Sequence, residues 1–137
     1  MKLGRGGVRA AAMVLALGVL SVCSVRAHHS FAPYEPNKQI KLSGVVTEFK
    51  WTNPHVYMQI EAQESTGETK RWLIECASTS ILNRAGWRFN LIKAGDKVTV
   101  IVSPLRTGEP AALLKQMILA DGTKYGNGAA AGAATIQ

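Results

Sequence analysis

The chain is poor in the residues that most often announce a chemistry. It has two cysteines, Cys23 and Cys76, and Cys23 falls in an N-terminal apolar segment. One cysteine in the remaining domain closes no internal disulfide, and Cys76 reads as an inert thiol buried in a strand. No phosphate loop, dinucleotide fingerprint or Cys/His zinc spacing occurs. Ser78 and Ser80 lie outside any nucleophile motif. Glu75 has no partner acid or adjacent base at a convincing spacing, and it reads as an ion-pair partner of Arg84 or Arg88. No block of Lys and Arg with interleaved aromatics is present, which argues against a nucleic-acid partner. No apolar run approaches the roughly 20 residues of a permanent membrane span.

What is present at the N-terminus is a targeting pattern. Lys2, Arg5 and Arg9 precede an apolar run from Ala10 to Leu20, and Val25 and Ala27 fit the small-x-small pattern cut by signal peptidase. Residues 1–27 therefore read as a removed Sec-type signal, placing the product in the periplasm or outside the cell. Removal takes away Lys2, Arg5, Arg9 and Arg26 and no acidic residue, so the formal charge falls from +7 to +3. The mature chain is mildly basic and evenly mixed.

Residues 28–38 form an arm that Pro33 and Pro36 keep extended. Residues 39–125 form one small β domain. Gln39–Phe49 is strand-like, with a bulge or bend expected at Gly44. Trp51–Pro54 is a loop, and Val56, Met58 and Ile60 then alternate with His55, Tyr57, Gln59 and Glu61. A connection at Gln63–Thr69 leads into a return strand over Lys70–Cys76. Ser78 or Thr79 caps a short helix that Gly86 stops, with Trp87, Phe89 and Leu91 packing its exit. Val98, Val100 and Val102 mark a fourth strand and Ala111–Leu119 a fifth. Residues 126–137 read as a disordered Gly/Ala-rich tail. The fold class is mostly β: a small five-stranded OB-like barrel or sandwich with one short helix between strands 3 and 4.

Several stretches carry a family likeness. They are His28-His29-Ser30-Phe31, Gly44-Val45-Val46, Phe49 to His55, Trp72-Leu73-Ile74-Glu75, Leu82 to Trp87, Lys93 to Val98, and Asp121-Gly122. Together they resemble the domain of unknown function 6152 family of uncharacterised bacterial exported proteins. The resemblance implies an exported small β domain and brings no activity with it.

Function must come from the residues. All three histidines, His28, His29 and His55, lie beyond the signal. Cleavage after Ala27 makes His28 the first residue. Its α-amine and ring Nδ1 can then chelate one metal, and a second imidazole completes a histidine brace. His55, directed by Pro54, is the candidate for that imidazole; His29 is an alternative ligand. Amine and imidazole nitrogens suit copper. Glu35, Glu75 and Tyr57 are the candidate outer partners. Against this, the His-His pair can be a solvated terminus and His55 can hydrogen-bond a backbone group. Trp51 and Tyr57 offer a separate binding surface for a protein, peptide or glycan of the envelope. Three functions follow in order of preference: a non-enzymatic exported binding domain holding copper, a metal-free OB-like partner-binding module, and a small copper-dependent oxidative enzyme. The size of the domain, which leaves little wall for a substrate cleft, favours binding over catalysis.

Overall fold

A computed structural model describes residues 33–128 of the chain. Residues 1–32, which include the expected signal, His28 and His29, and residues 129–137, most of the expected tail, lie outside the described residues. Among the described residues, six strands and one helix are ordered as β1 (Ile40–Lys50), β2 (Tyr57–Gln63), β3 (Thr69–Glu75), α1 (Thr79–Arg84), β4 (Lys97–Pro104), β5 (Ala111–Leu119) and β6 (Lys124–Gly126). The sheet runs β3-β2-β1-β4-β5-β6. A parallel pairing of Leu73, Ile74 and Glu75 with Ala111, Ala112 and Leu113 joins β3 to β5. That pairing closes the first five strands into a barrel and excludes the sandwich. The helix stands between the third and fourth strands, as the OB arrangement requires.

Alternation drives the closure. Val56, Met58 and Ile60, then Trp72, Ile74 and Cys76, then Val98, Val100 and Val102, then Ala112, Leu114 and Met117 all point inward and are buried. β1 is the longest strand because it serves two neighbours. Its first half pairs with β4 and its second with β2, and Gly44 pairs with both Val98 and Ala62. The bulge expected at Gly44 lies further on, between Val46 and Glu48. Gly44 is instead a point of close approach between strands, where a Cβ would collide with the backbone of Glu61.

Helix α1 contributes Leu82 to the barrel core. The Ser78 hydroxyl accepts from Ile81 N at 3.4 Å, and Gly86, at φ +90°, ends the helix. Full burial of Leu82 contributes about 2 kcal/mol. Trp87 is fully buried, stacks on Phe49 at 6.4 Å and meets Tyr125 edge-on at 5.8 Å. Phe89 does not pack the helix exit as expected; it is 70% exposed, because the chain turns outward after Trp87.

The C-terminal segment also differs from expectation. Residues 124–126 add a sixth strand against β5, and Trp87 Nε1 donates to Gly126 O at 2.9 Å. Asn127 is buried, accepting from Ala77 N at 2.7 Å and donating to Leu114 O at 2.9 Å. Gly126 to Gly128 therefore belong to the fold and not to a tail. Among the described residues no helix is long and apolar enough to cross a membrane.

Candidate functional site

Tyr34, His55, Tyr57 and Glu75 meet on the outside of the barrel. Tyr57 of β2 and Glu75 of β3 are direct cross-strand partners. Glu75 in turn faces Leu113 of β5, and Leu113 faces Ser103 of β4, which makes a continuous outer row across four strands. Tyr34 comes down onto this row from the arm. It forms a β-bridge with Leu105, while Glu35 N donates to Pro104 O and Arg106 N to Pro33 O, each at 2.9 Å. These backbone bonds fix the arm at the end of β4.

His55 precedes β2 and is held from both sides. Its neighbour Val56 donates to Ala77 O at 3.1 Å and accepts from Cys76 N at 2.8 Å, prolonging the β2–β3 ladder. The loop before it is tied to α1 by Thr79 Oγ1 donating to Asn53 Oδ1 at 2.9 Å. The imidazole Nδ1 lies 3.2 Å from Cys76 O and 3.3 Å from Glu75 Oε1. Both neighbours are acceptors, so a hydrogen on Nδ1 is the one that can meet them. The other oxygen of Glu75 accepts the Tyr34 hydroxyl at 2.7 Å. Tyr34, Glu75 and His55 thus form one row of polar contacts, with the Tyr57 ring edge-on to His55 at 6.4 Å.

Burial keeps the two phenols of this group protonated. It pushes the Tyr34 phenol well above its ordinary acidity range, with the hydrogen bond to Glu75 and the charge of that carboxylate adding to the effect. Burial and the same charge raise Tyr57. Both phenols therefore stay protonated as donors at neutral pH. The Cys76 thiol is also pushed up, chiefly by complete burial, which leaves it an inert core residue as its sequence context implied.

The family assignment follows from the chain as a whole. A model described as a family of unknown function, DUF6152, matches residues 16–114. The chain belongs to that family. The match takes in Tyr34, His55, Tyr57 and Glu75 and ends inside β5, so β6 lies beyond it. Among proteins with curated descriptions, none matches this chain. Among solved structures, the mitochondrial single-stranded DNA binding protein Rim1 from S. cerevisiae is similar to it. The identity is 16%, the TM-score 0.44, and the alignment covers 61% of this chain and 94% of that one.

The residues singled out in this DUF6152 member fall into two places. His55, Tyr57 and Glu75 come together. Trp51 is half-buried and tilted on Phe49 at 6.0 Å, which itself stacks on Trp87. His28 and His29 lie outside the described residues, and among the described residues no three His, Cys, Asp or Glu side chains gather to hold a metal. Glu75 does not pair with Arg84 or Arg88 as expected. It turns to His55 and Tyr34, while Arg88 donates to Asn83 O and Trp87 O. Tyr34 went unrecognised in the sequence. The signal was there: one large aromatic with a polar tip between two prolines, in an arm with no apolar period.

Proposed function

We propose that the mature protein is a non-enzymatic copper-binding domain of the cell envelope, exported by its N-terminal signal, in which His28 and His55 supply the metal ligands. The observation that carries this reading is the setting of His55. A metal-binding histidine usually donates its second ring N–H to a carboxylate or a backbone carbonyl, which fixes the tautomer and raises the basicity of the ligating nitrogen. His55 has both kinds of acceptor at Nδ1. With the hydrogen kept on Nδ1, Nε2 would be the ligating nitrogen in this reading.

The remaining ligands come from the chain preceding Tyr34. Tyr34 follows His28 by six residues, so the segment between them spans at most about 21 Å. Tyr34 is hydrogen-bonded to the carboxylate that holds His55. An α-amine and Nδ1 from His28 with Nε2 from His55 make a three-nitrogen set suited to Cu(II), and His29 is the alternative imidazole. Because the α-amine must lose its proton, of ordinary pKa about 7.7–8, affinity rises with pH through that range.

A competition titration of the mature, untagged protein against a chromophoric copper chelator tests the proposal. One equivalent of Cu(II) bound, with affinity lost in His55→Ala and weakened by a residue added before His28, supports it. Equal affinity in all three proteins removes His55 and the amine as ligands. Such a result leaves a partner-binding module presenting Trp51 and Tyr57 as the better reading.

A further inference from the structure

We infer that the outer face of β1, β4 and β5 is a docking groove for an extended acidic peptide segment of another protein, one that seats an apolar side chain between two carboxylates. The inference is independent of the copper reading. None of the residues it uses belongs to the group of Tyr34, His55, Tyr57 and Glu75.

The groove has a volume of about 310 Å³. Its floor takes two outward residues from each strand: Ser43 and Val45 of β1, Lys97 and Thr99 of β4, and Ile118 and Ala120 at the end of β5. Register sets them side by side, with Val45 opposite Lys97, Ser43 opposite Thr99, and Thr99 opposite Ile118. Val45 is 38% exposed, so the floor offers apolar surface to solvent. At its centre the hydroxyls of Ser43 and Thr99 share one hydrogen bond at 2.9 Å. One hydroxyl proton serves that bond, and the other remains to be donated to a carboxylate or a peptide carbonyl.

Three exposed lysines surround this floor. Lys97 lines it, Lys41 pairs with Ile101 four residues further along β4, and Lys124 of β6 pairs with Ile118. None of the three makes an ion pair with a described carboxylate. The nearby carboxylates are engaged elsewhere: Glu61, opposite Val45, with Arg71 at 3.0 Å, Asp96 with Lys93 at 3.1 Å, and Asp121 with Thr123 N at 2.8 Å. By strand spacing, Lys41 lies roughly 14 Å and Lys124 roughly 12 Å from Lys97. Such separations suit carboxylates held apart along an extended chain and not one anionic headgroup. Among the described residues no aromatic ring lines the groove, so the stacking platform of a glycan or single-stranded nucleic-acid site is missing. β1, β4 and β5 each have a ladder partner on both sides. The segment therefore lies across the face, held by side chains, and does not add as a strand.

An NMR titration of the full mature chain with a synthetic nonapeptide tests this. The peptide has one central leucine, an aspartate two positions to either side, and glycine or serine elsewhere. Aspartates four positions apart match the separation of Lys41 from Lys97 along β4. Amide shifts are expected at Ser43 to Val45, Lys97 to Thr99 and Ile118 to Ala120. Replacing both aspartates by asparagine, or the leucine by glycine, should weaken binding by about fivefold or more. Lys97→Gln should weaken it about two- to fivefold, and Lys41→Gln, Lys97→Gln and Lys124→Gln combined roughly tenfold or more. These side chains are exposed, so the variants should keep the parental spectrum elsewhere. Lys70→Gln, outside the groove, should bind as the parent does. Equal binding of the asparagine peptide, shifts confined to another face, or no shift at about 1 mM peptide overturns the inference. Polygalacturonate or phosphatidylglycerol vesicles that perturb the groove where the peptide does not would also overturn it, in favour of a glycan or a membrane surface.

Discussion

Gly44 of β1 lies so close to the backbone of Glu61 in β2 that no Cβ fits between them. This is also the residue where β1 exchanges one partner strand for the other. The barrel closes only if that approach is kept. Gly44→Ala should therefore destabilise the domain by about 1–3 kcal/mol through overpacking against backbone that cannot move aside. Urea unfolding measures it, and an unchanged midpoint would mean that the strand crossing is looser than this contact implies.

Asn127 is the second point where one residue holds two elements. Its side-chain amide joins Ala77, in the link from β3 to α1, to Leu114 of β5 from a buried position. Asn127→Ala leaves a part-buried N–H and a buried C=O without this partner. A loss of about 1–3 kcal/mol is expected. Truncation after Lys124 should cost at least as much, since Gly126 O and Tyr125 go as well. A truncated protein of parental stability would return residues 126–128 to the status of a tail.

Cys76 gives a chemical check on the barrel interior. It is fully buried and its thiol is pushed far from ionisation, mainly by desolvation. A thiol reagent at pH 8 should label it only at the rate of unfolding and promptly in denaturant. Fast labelling of the native protein would require an opening near β3.

The turn before β4 should make stability depend on acid. Asp96 accepts from Lys93 N at 2.9 Å and from Lys93 Nζ at 3.1 Å, and these bonds hold its carboxyl below the ordinary aspartate value. A depressed folded pKa contributes stability above the unfolded value of about 3.9, and that contribution is lost as pH falls through the folded value. The difference in melting temperature between the parent and Asp96→Ala should be full at pH 6 and shrink below about pH 4. A difference that persists in stronger acid would point to a loss of turn geometry and not of charge.

The barrel was legible in the sequence wherever one face is buried. Val56, Met58 and Ile60 and the three valines of β4 alternate cleanly because the pleat puts every second residue in the core. The helix was legible through its Ser78 cap and Gly86 stop. What sequence pattern could not reveal were long-range closures. The parallel contact of β3 with β5 joins residues far apart in the chain, and nothing local marks it. β6 is three residues long, held by its ladder to β5 and one Trp–carbonyl bond, and is too short for any period. Within the site, His55 stood out for its rarity and Glu75 and Tyr57 for their strand parity. Tyr34 did not, because its partner is 41 positions away and meets it only once the barrel is closed.

Copper carried on the processed N-terminus and His55 is the proposal on which the functional reading turns. Native mass spectrometry of the exported, untagged protein, with and without equimolar Cu(II), tests it most directly. The expected result is a mature mass beginning at His28, one copper retained, and the copper lost in His55→Ala. A mature chain with another first residue, or one that retains no copper at micromolar protein, would contradict it.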